Sequence, residues 1–201
     1  MIKTLTRKLT QPFRSFAREE KGAMVLEVLL TIPVFAFCTI GTYTYWDAFR
    51  SLNTAQKATY TVADMISRET REINTTYLTG LHDVLQYMVG DELPVQMRVS
   101  SITYSGVRNR FEIDWSRSPN NELPQLTTTT LQSLVQYIPM LADGDSIVLV
   151  ESNMQFTPAF QESPAFFMYV GDEVFRQFIV TRPRFVPKIC LQNVACSNTN
   201  S

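Results

Sequence analysis

Glu27 is the residue whose position most demands a chemical reason. It is followed by nineteen residues, 28–46, without a formal charge. A carboxylate beside so apolar a run is costly in lipid unless it reaches the interface, takes a proton or meets a compensating charge. The remaining polar residues form no recognisable catalytic set. His82 is the only histidine and the only unperturbed neutral-pH base. Its neighbour Asp83 would leave the same helix in a different direction, so the two do not make a dyad. Asp91-Glu92, Asp143-Gly144-Asp145 and Asp172-Glu173 are acidic turns without a full calcium-ligand spacing. No glycine-rich phosphate loop, Cys-x-x-Cys pair or His-Glu-x-x-His motif occurs. The expectation is a non-enzymatic chain with no cofactor and no metal, whose work is binding or assembly.

Charge is distributed unevenly around Glu27. Residues 1–22 hold six bases against two acids, whereas the other 179 residues hold twelve bases against seventeen acids. A basic front on a mildly acidic body disfavours nucleic acid as a partner, which needs basic charge on the folded part. The pattern suits a membrane protein whose positive end stays in the cytoplasm. At about 1.5 Å per residue, a helix over 23–46 spans about 36 Å, enough for a hydrocarbon core of about 30 Å. Tyr43, Tyr45 and Trp46 crowd its far end, where an interfacial aromatic belt belongs. A buried core helix and a cleaved secretory signal are the alternatives. The apolar stretch exceeds a usual signal core and lacks a clear small-x-small exit.

The junction Lys21-Gly22-Ala23-Met24-Val25-Leu26-Glu27 places a glycine five residues before the carboxylate, where the basic leader meets the apolar run. This resembles the type IV prepilin cleavage pattern. Gly22-Ala-Met-Val-Leu-Glu27-Val-Leu-Leu-Thr-Ile-Pro33 is similar, more narrowly, to the TadE-like minor pilins and pseudopilins of tight-adherence (Tad) pili. Val150-Glu-Ser-Asn-Met-Gln-Phe-Thr-Pro158 and Val180-Thr-Arg-Pro-Arg-Phe185 are weaker likenesses to their ectodomains. The resemblance implies that a prepilin peptidase cuts between Gly22 and Ala23 on the cytoplasmic side. Glu27 would then be the fifth mature residue and would meet the freed α-amine during assembly, so that two costly charges compensate one another. Implied partners are the peptidase, other pilin or pseudopilin subunits, the inner-membrane assembly platform and membrane lipid. The implied location is the inner membrane, single-pass, with the N-terminus cytoplasmic and the head periplasmic, or a surface pilus. Pro33 lacks an amide hydrogen and crowds the preceding turn, which predicts a kink or soft point near Leu29.

The elements that would carry this junction follow from periodicity. Phe49, Leu52, Ala55, Thr59, Val62, Ile66 and Ile73 recur at helical steps, with no Gly or Pro between Thr42 and Ile73. This predicts one helix over about 23–73, roughly 76 Å long, with 23–46 in the membrane and 47–73 as an amphipathic stalk. A short helix is expected over 81–89, bracketed by Gly80 and Gly90. Val95, Met97, Val99 and Ser101 alternate with polar residues, as do Phe111, Ile113 and Trp115. Ser105-Gly106 between them predicts a β-hairpin with one buried face. Leu131, Leu134, Val135 and Ile138 predict a helix ending before Pro139. Strands are expected over 147–151 and 175–180, and Phe166–Val170 suits strand or helix. The predicted fold is α+β and pilin-like. A long N-terminal transmembrane and stalk helix packs on a small antiparallel sheet with short extra helices, after a basic leader (1–22), with a head over 74–201.

Three cysteines remain. Cys38 fits the membrane helix as a small apolar side chain. Cys190 and Cys196 have five residues between them. If the head lies outside the inner membrane, the compartment permits a disulfide and a small C-terminal loop. Such a loop would resemble the C-terminal disulfide of many pilins, and two free thiols in a frayed end are the alternative. Asn74-Thr-Thr is an N-glycosylation sequon, meaningful only where a cell has that machinery. Rival functions are a type II secretion pseudopilin, a bitopic sensor ectodomain in which the Gly22–Glu27 spacing is coincidental, and, least supported, an anchored enzyme.

Overall fold

The computed structural model describes residues 20–90, 93–158, 172–194 and 196, with side chains from Met24 onward. Residues 1–19, where a leader is expected, Asp91-Glu92 and Phe166–Val170 lie outside the described residues. Two compact units divide at Trp46/Asp47. The helix α1, Glu20–Ser67, contributes to both. The second unit adds α2 (Thr75–Val89), β1 (Val95–Ser105), β2 (Arg110–Arg117), α3 (Thr128–Leu131), β3 (Ser146–Phe156) and β4 (Glu173–Thr181). The four strands form one antiparallel sheet in the order β2-β1-β3-β4. A long apolar helix and a small antiparallel sheet with short helices make the chain α+β, as its periodicities predict.

Both faces of the sheet are covered. One face buries Val95, Met97, Val99, Val148, Val150 and Met154 under α1 and α2. From α1 it receives Ala55, Ala58, Val62, Ala63 and Ile66, all at steps of one, three or four residues. Three of these five are alanines, small side chains that pack into the same core cluster as the sheet residues. Thr59 on the same stripe exchanges a 2.7 Å hydrogen bond with Ser152 of β3, so no polar atom is left unsatisfied there. Phe49, read as part of this stripe, is instead exposed. The other face buries Ile102, Phe111, Ile147 and Leu149 under Leu126, Leu131 and Ile138. There Arg98 and Glu151, directly opposite across β1 and β3, form a two-pronged ion pair at 2.7 and 2.8 Å. Arg98 also donates to the Pro124 carbonyl at 2.6 Å.

Three local departures from the sequence expectations have physical causes. First, α1 ends at Ser67, six residues before Ile73. Its last turn tightens, with Arg68 N–H donating to Met65 O and Glu69 N–H to Ile66 O. The free Ser67 carbonyl then accepts the Arg184 amide at 2.8 Å. Ile73 stays buried, yet pairs its backbone with Cys190 and Gln192 rather than continuing the helix. Second, α2 begins five residues before Gly80. Asn74 caps it, its Oδ1 accepting the Tyr77 amide at 2.7 Å. Gly80 lies inside, and Gly90 ends the helix with φ +110°, a backbone region that favours glycine.

The third departure is a β-bulge. Ser101 faces Trp115 and Ile102 faces Ile113, leaving Asp114 as the extra residue in β2. The expected alternation therefore breaks: Phe111 and Ile113 serve one face while Trp115 turns to the other. Asp114 accepts from Thr103 Oγ1 at 2.6 Å and pairs with Lys188, and both charged side chains are at least 86% removed from solvent. Lys188 belongs to a strap after β4 that fastens the unit. Trp115 Nε1 donates to Ile189 O at 2.8 Å, Ser146 Oγ donates to Pro187 O, and Arg184 pairs with Asp64. Cys190 and Cys196 at its end are joined by a disulfide, with Cα atoms 5.6 Å apart.

Tyr77 lies at the start of α2, and burial together with the adjacent Glu69 carboxylate pushes its hydroxyl up to about 12 from the usual 10. The folded state thus holds the phenol proton more tightly than the unfolded chain does. That contribution is present below pH 10 and is lost as pH rises toward 12. Tyr77→Phe is expected to flatten the fall in stability over this window, measured by unfolding at a series of alkaline pH values beside a tyrosinate titration. At the hairpin tip, Arg108 donates to Glu112, which holds that carboxyl below its usual range and raises the guanidinium.

Candidate functional site

The first unit contains the residues singled out by the junction motif. Gly22 and Ala23 fall in the opening turn of α1, and Glu27 lies one turn further, exposed. Every described side chain over 24–39 is exposed. Met24, Leu29, Val34 and Phe35 each show more than 60% of their surface. The helix is long and apolar enough to cross a membrane, and none of its most apolar stretch is buried within the chain. A core helix of a soluble protein would hide that stretch, whereas here it is not covered within its own unit. Leaving so many large apolar side chains in water is unfavourable by roughly 25 cal/mol per Å². Cover by lipid or by other protein would remove that cost.

The helix is built to tolerate such an environment. Thr31, Thr39, Thr42 and Thr44 each turn a hydroxyl back to the carbonyl four residues earlier, at 2.7–3.0 Å. Hydroxyls bonded in this way need no outside partner, which removes most of their cost in hydrocarbon. The first of these bonds ends on the Glu27 carbonyl. Pro33 sits inside the helix, which remains continuous through it. Its missing amide withdraws the usual bond to Leu29 O, two residues beyond the Glu27 carbonyl. Tyr43 and Trp46 lie against one another at the end of the unit, ring centroids 6.3 Å apart.

What this arrangement offers is a carboxylate presented on an exposed apolar helix, four residues from Ala23. Among the described residues of this unit, no hydrogen bond pairs a nucleophile with a base. His82 is in α2, buried, and its Nε2 shares a 2.8 Å hydrogen bond with the Val95 carbonyl. Gln86 accepts the Val95 amide and donates to Gly90 and Leu93. The two side chains together tie α2 to the first residue of β1, which is a structural use of the imidazole. Asp143 accepts the Gly106 amide at 2.5 Å, and Asp145 pairs with Arg182 at 3.0 Å. Among the described residues no three His, Cys, Asp or Glu side chains come together as a metal would require. Cys38 is exposed on α1.

The threonine ladder and the Asp114–Lys188 pair were not anticipated from sequence. The ladder had a legible signal, four threonines within an apolar run. The ion pair had none, because its members are 74 residues apart. Compared with known proteins, the chain matches no family model, no curated protein and no solved structure.

Proposed function

We propose that this chain is a minor pilin or pseudopilin that takes part in assembling a Tad-type pilus and in adhesion. The basic leader stays in the cytoplasm, α1 crosses the inner membrane, and the α+β unit from Asp47 faces the periplasm. A prepilin peptidase cuts between Gly22 and Ala23. The freed α-amine of Ala23 is met by Glu27 during assembly, most economically by that of a neighbouring subunit. Pro33 supplies the soft point at which the helix adjusts when it leaves lipid for a filament.

The single observation that carries the reading is Glu27, held on an exposed, unburied apolar helix five residues after Gly22. A folded unit of this size exceeds what a bare helical filament subunit needs, which favours a minor component. The experiment is crosslinking in the native envelope followed by affinity recovery. Recovery of pilin-like subunits and the pilus platform is expected. Recovery of type II secretion components instead would move the chain to the other machine. Recovery of neither, with a signalling partner in their place, would overturn the proposal in favour of a bitopic sensor.

A further inference from the structure

We propose that Asn74 is an acceptor for an N-linked oligosaccharide, a modification site that assembly does not use. The proposal rests on the reading that the unit from Asp47 lies outside the cytoplasm. Asn74-Thr75-Thr76 is the sequence an oligosaccharyltransferase requires, with a hydroxyl residue two positions after the asparagine and no proline between. Many such tripeptides are inert because folding hides them. Here Asn74, Thr75 and Thr76 are all exposed, as is Glu72 on the N-terminal side. Asn74 is extended, with φ −116° and ψ 171°, at the junction between α1 and α2.

The two ends of the Asn74 amide have separate roles. Oδ1 caps α2 by accepting the Tyr77 amide. Nδ2 makes no hydrogen bond to a described residue, so a sugar on it would leave the cap in place. In the transfer, Nδ2 bonds to the anomeric carbon of a polyprenyl-diphosphate-linked oligosaccharide. The bond from that carbon to the diphosphate oxygen breaks, the lipid diphosphate leaves with the electron pair, and the amide proton passes to a base of the transferase. The glycan would project from the α1–α2 junction, beside the place where the strap joins Ile73. Glu72 adds an exposed carboxylate two residues before the acceptor, which a transferase with a cationic acceptor groove would read.

The test uses the full chain in cells that carry a lipid-linked oligosaccharide and a transferase active on a control acceptor protein. Tryptic peptide 72–98 is expected to gain the mass of one oligosaccharide, released by a peptide N-glycosidase. Asn74→Asp, which keeps the capping oxygen and removes the acceptor nitrogen, should abolish the gain, as should Thr76→Ala, while Thr76→Ser retains it. An unmodified peptide beside a glycosylated control would overturn the proposal. Asn74→Cys labelling with a membrane-impermeant maleimide separates the two ways of failing. A labelled cysteine with an unmodified wild-type peptide sinks the glycan alone, and a cysteine protected until the membrane is opened sinks the compartment reading with it.

Discussion

Glu27→Ala is expected to abolish incorporation into filaments while leaving the protein in the membrane and its head folded. The carboxylate is exposed on α1 and lies outside the packed unit, so its removal touches no contact in the sheet core. Its loss would leave the freed amine of Ala23 without a counter-charge in an apolar assembly. Leaving one member of a desolvated pair unpaired costs about 3–5 kcal/mol. At about 1.4 kcal/mol per factor of ten, that corresponds to a fall of at least 100-fold in incorporation. Glu27→Gln separates charge from shape and should fail nearly as badly. Quantitative blotting of sheared filaments against the membrane fraction checks both. Incorporation of either variant within about threefold of the parent, under 1 kcal/mol, would remove Glu27 from the account of assembly.

Asp114→Ala is expected to be the most damaging single change in the head. The variant would leave the buried Lys188 ammonium without its partner and would deprive Thr103 of its acceptor. Breaking a buried ion pair from one side typically costs about 3–5 kcal/mol. That is a large part of the roughly 5–15 kcal/mol by which a domain is stable. Asp114→Asn/Lys188→Met, which removes both charges and keeps an amide in the bulge, should recover most of the loss. Denaturant unfolding of the unit from Asp47 to the C-terminus measures both. Because Lys188 fastens the strap to the sheet, Asp114→Ala should also raise the rate at which reductant reaches the Cys190–Cys196 disulfide.

What could be read from the sequence divides along the range of the interactions. The apolar helix was legible because its determinants are contiguous: the charge-free run after Glu27, the basic residues before it and the aromatic end at Trp46. Helical steps at Ala55, Thr59, Val62 and Ile66 and the alternation from Val95 to Val99 were legible for the same reason. The end of α1 was not. Ile73 falls seven residues after Ile66 and keeps the helical phase, yet its backbone partners, Cys190 and Gln192, arrive more than a hundred residues later. The bulge at Asp114 was hidden too, since one extra residue in β2 shows itself only against the register of β1. The Gly22–Glu27 spacing is local and can be read directly from the sequence, while its role in processing and assembly is the proposal. The strap that locks the head was not, because each of its contacts joins distant parts of the chain.

The measurement that bears most directly on the account is the intact mass and N-terminal sequence of the protein recovered from a membrane with an active prepilin peptidase. An N-terminus at Ala23, lost when Gly22 is replaced by a bulky residue, is the predicted result. A chain that still begins at Met1 under those conditions would contradict prepilin processing and, with it, the proposed role in pilus assembly.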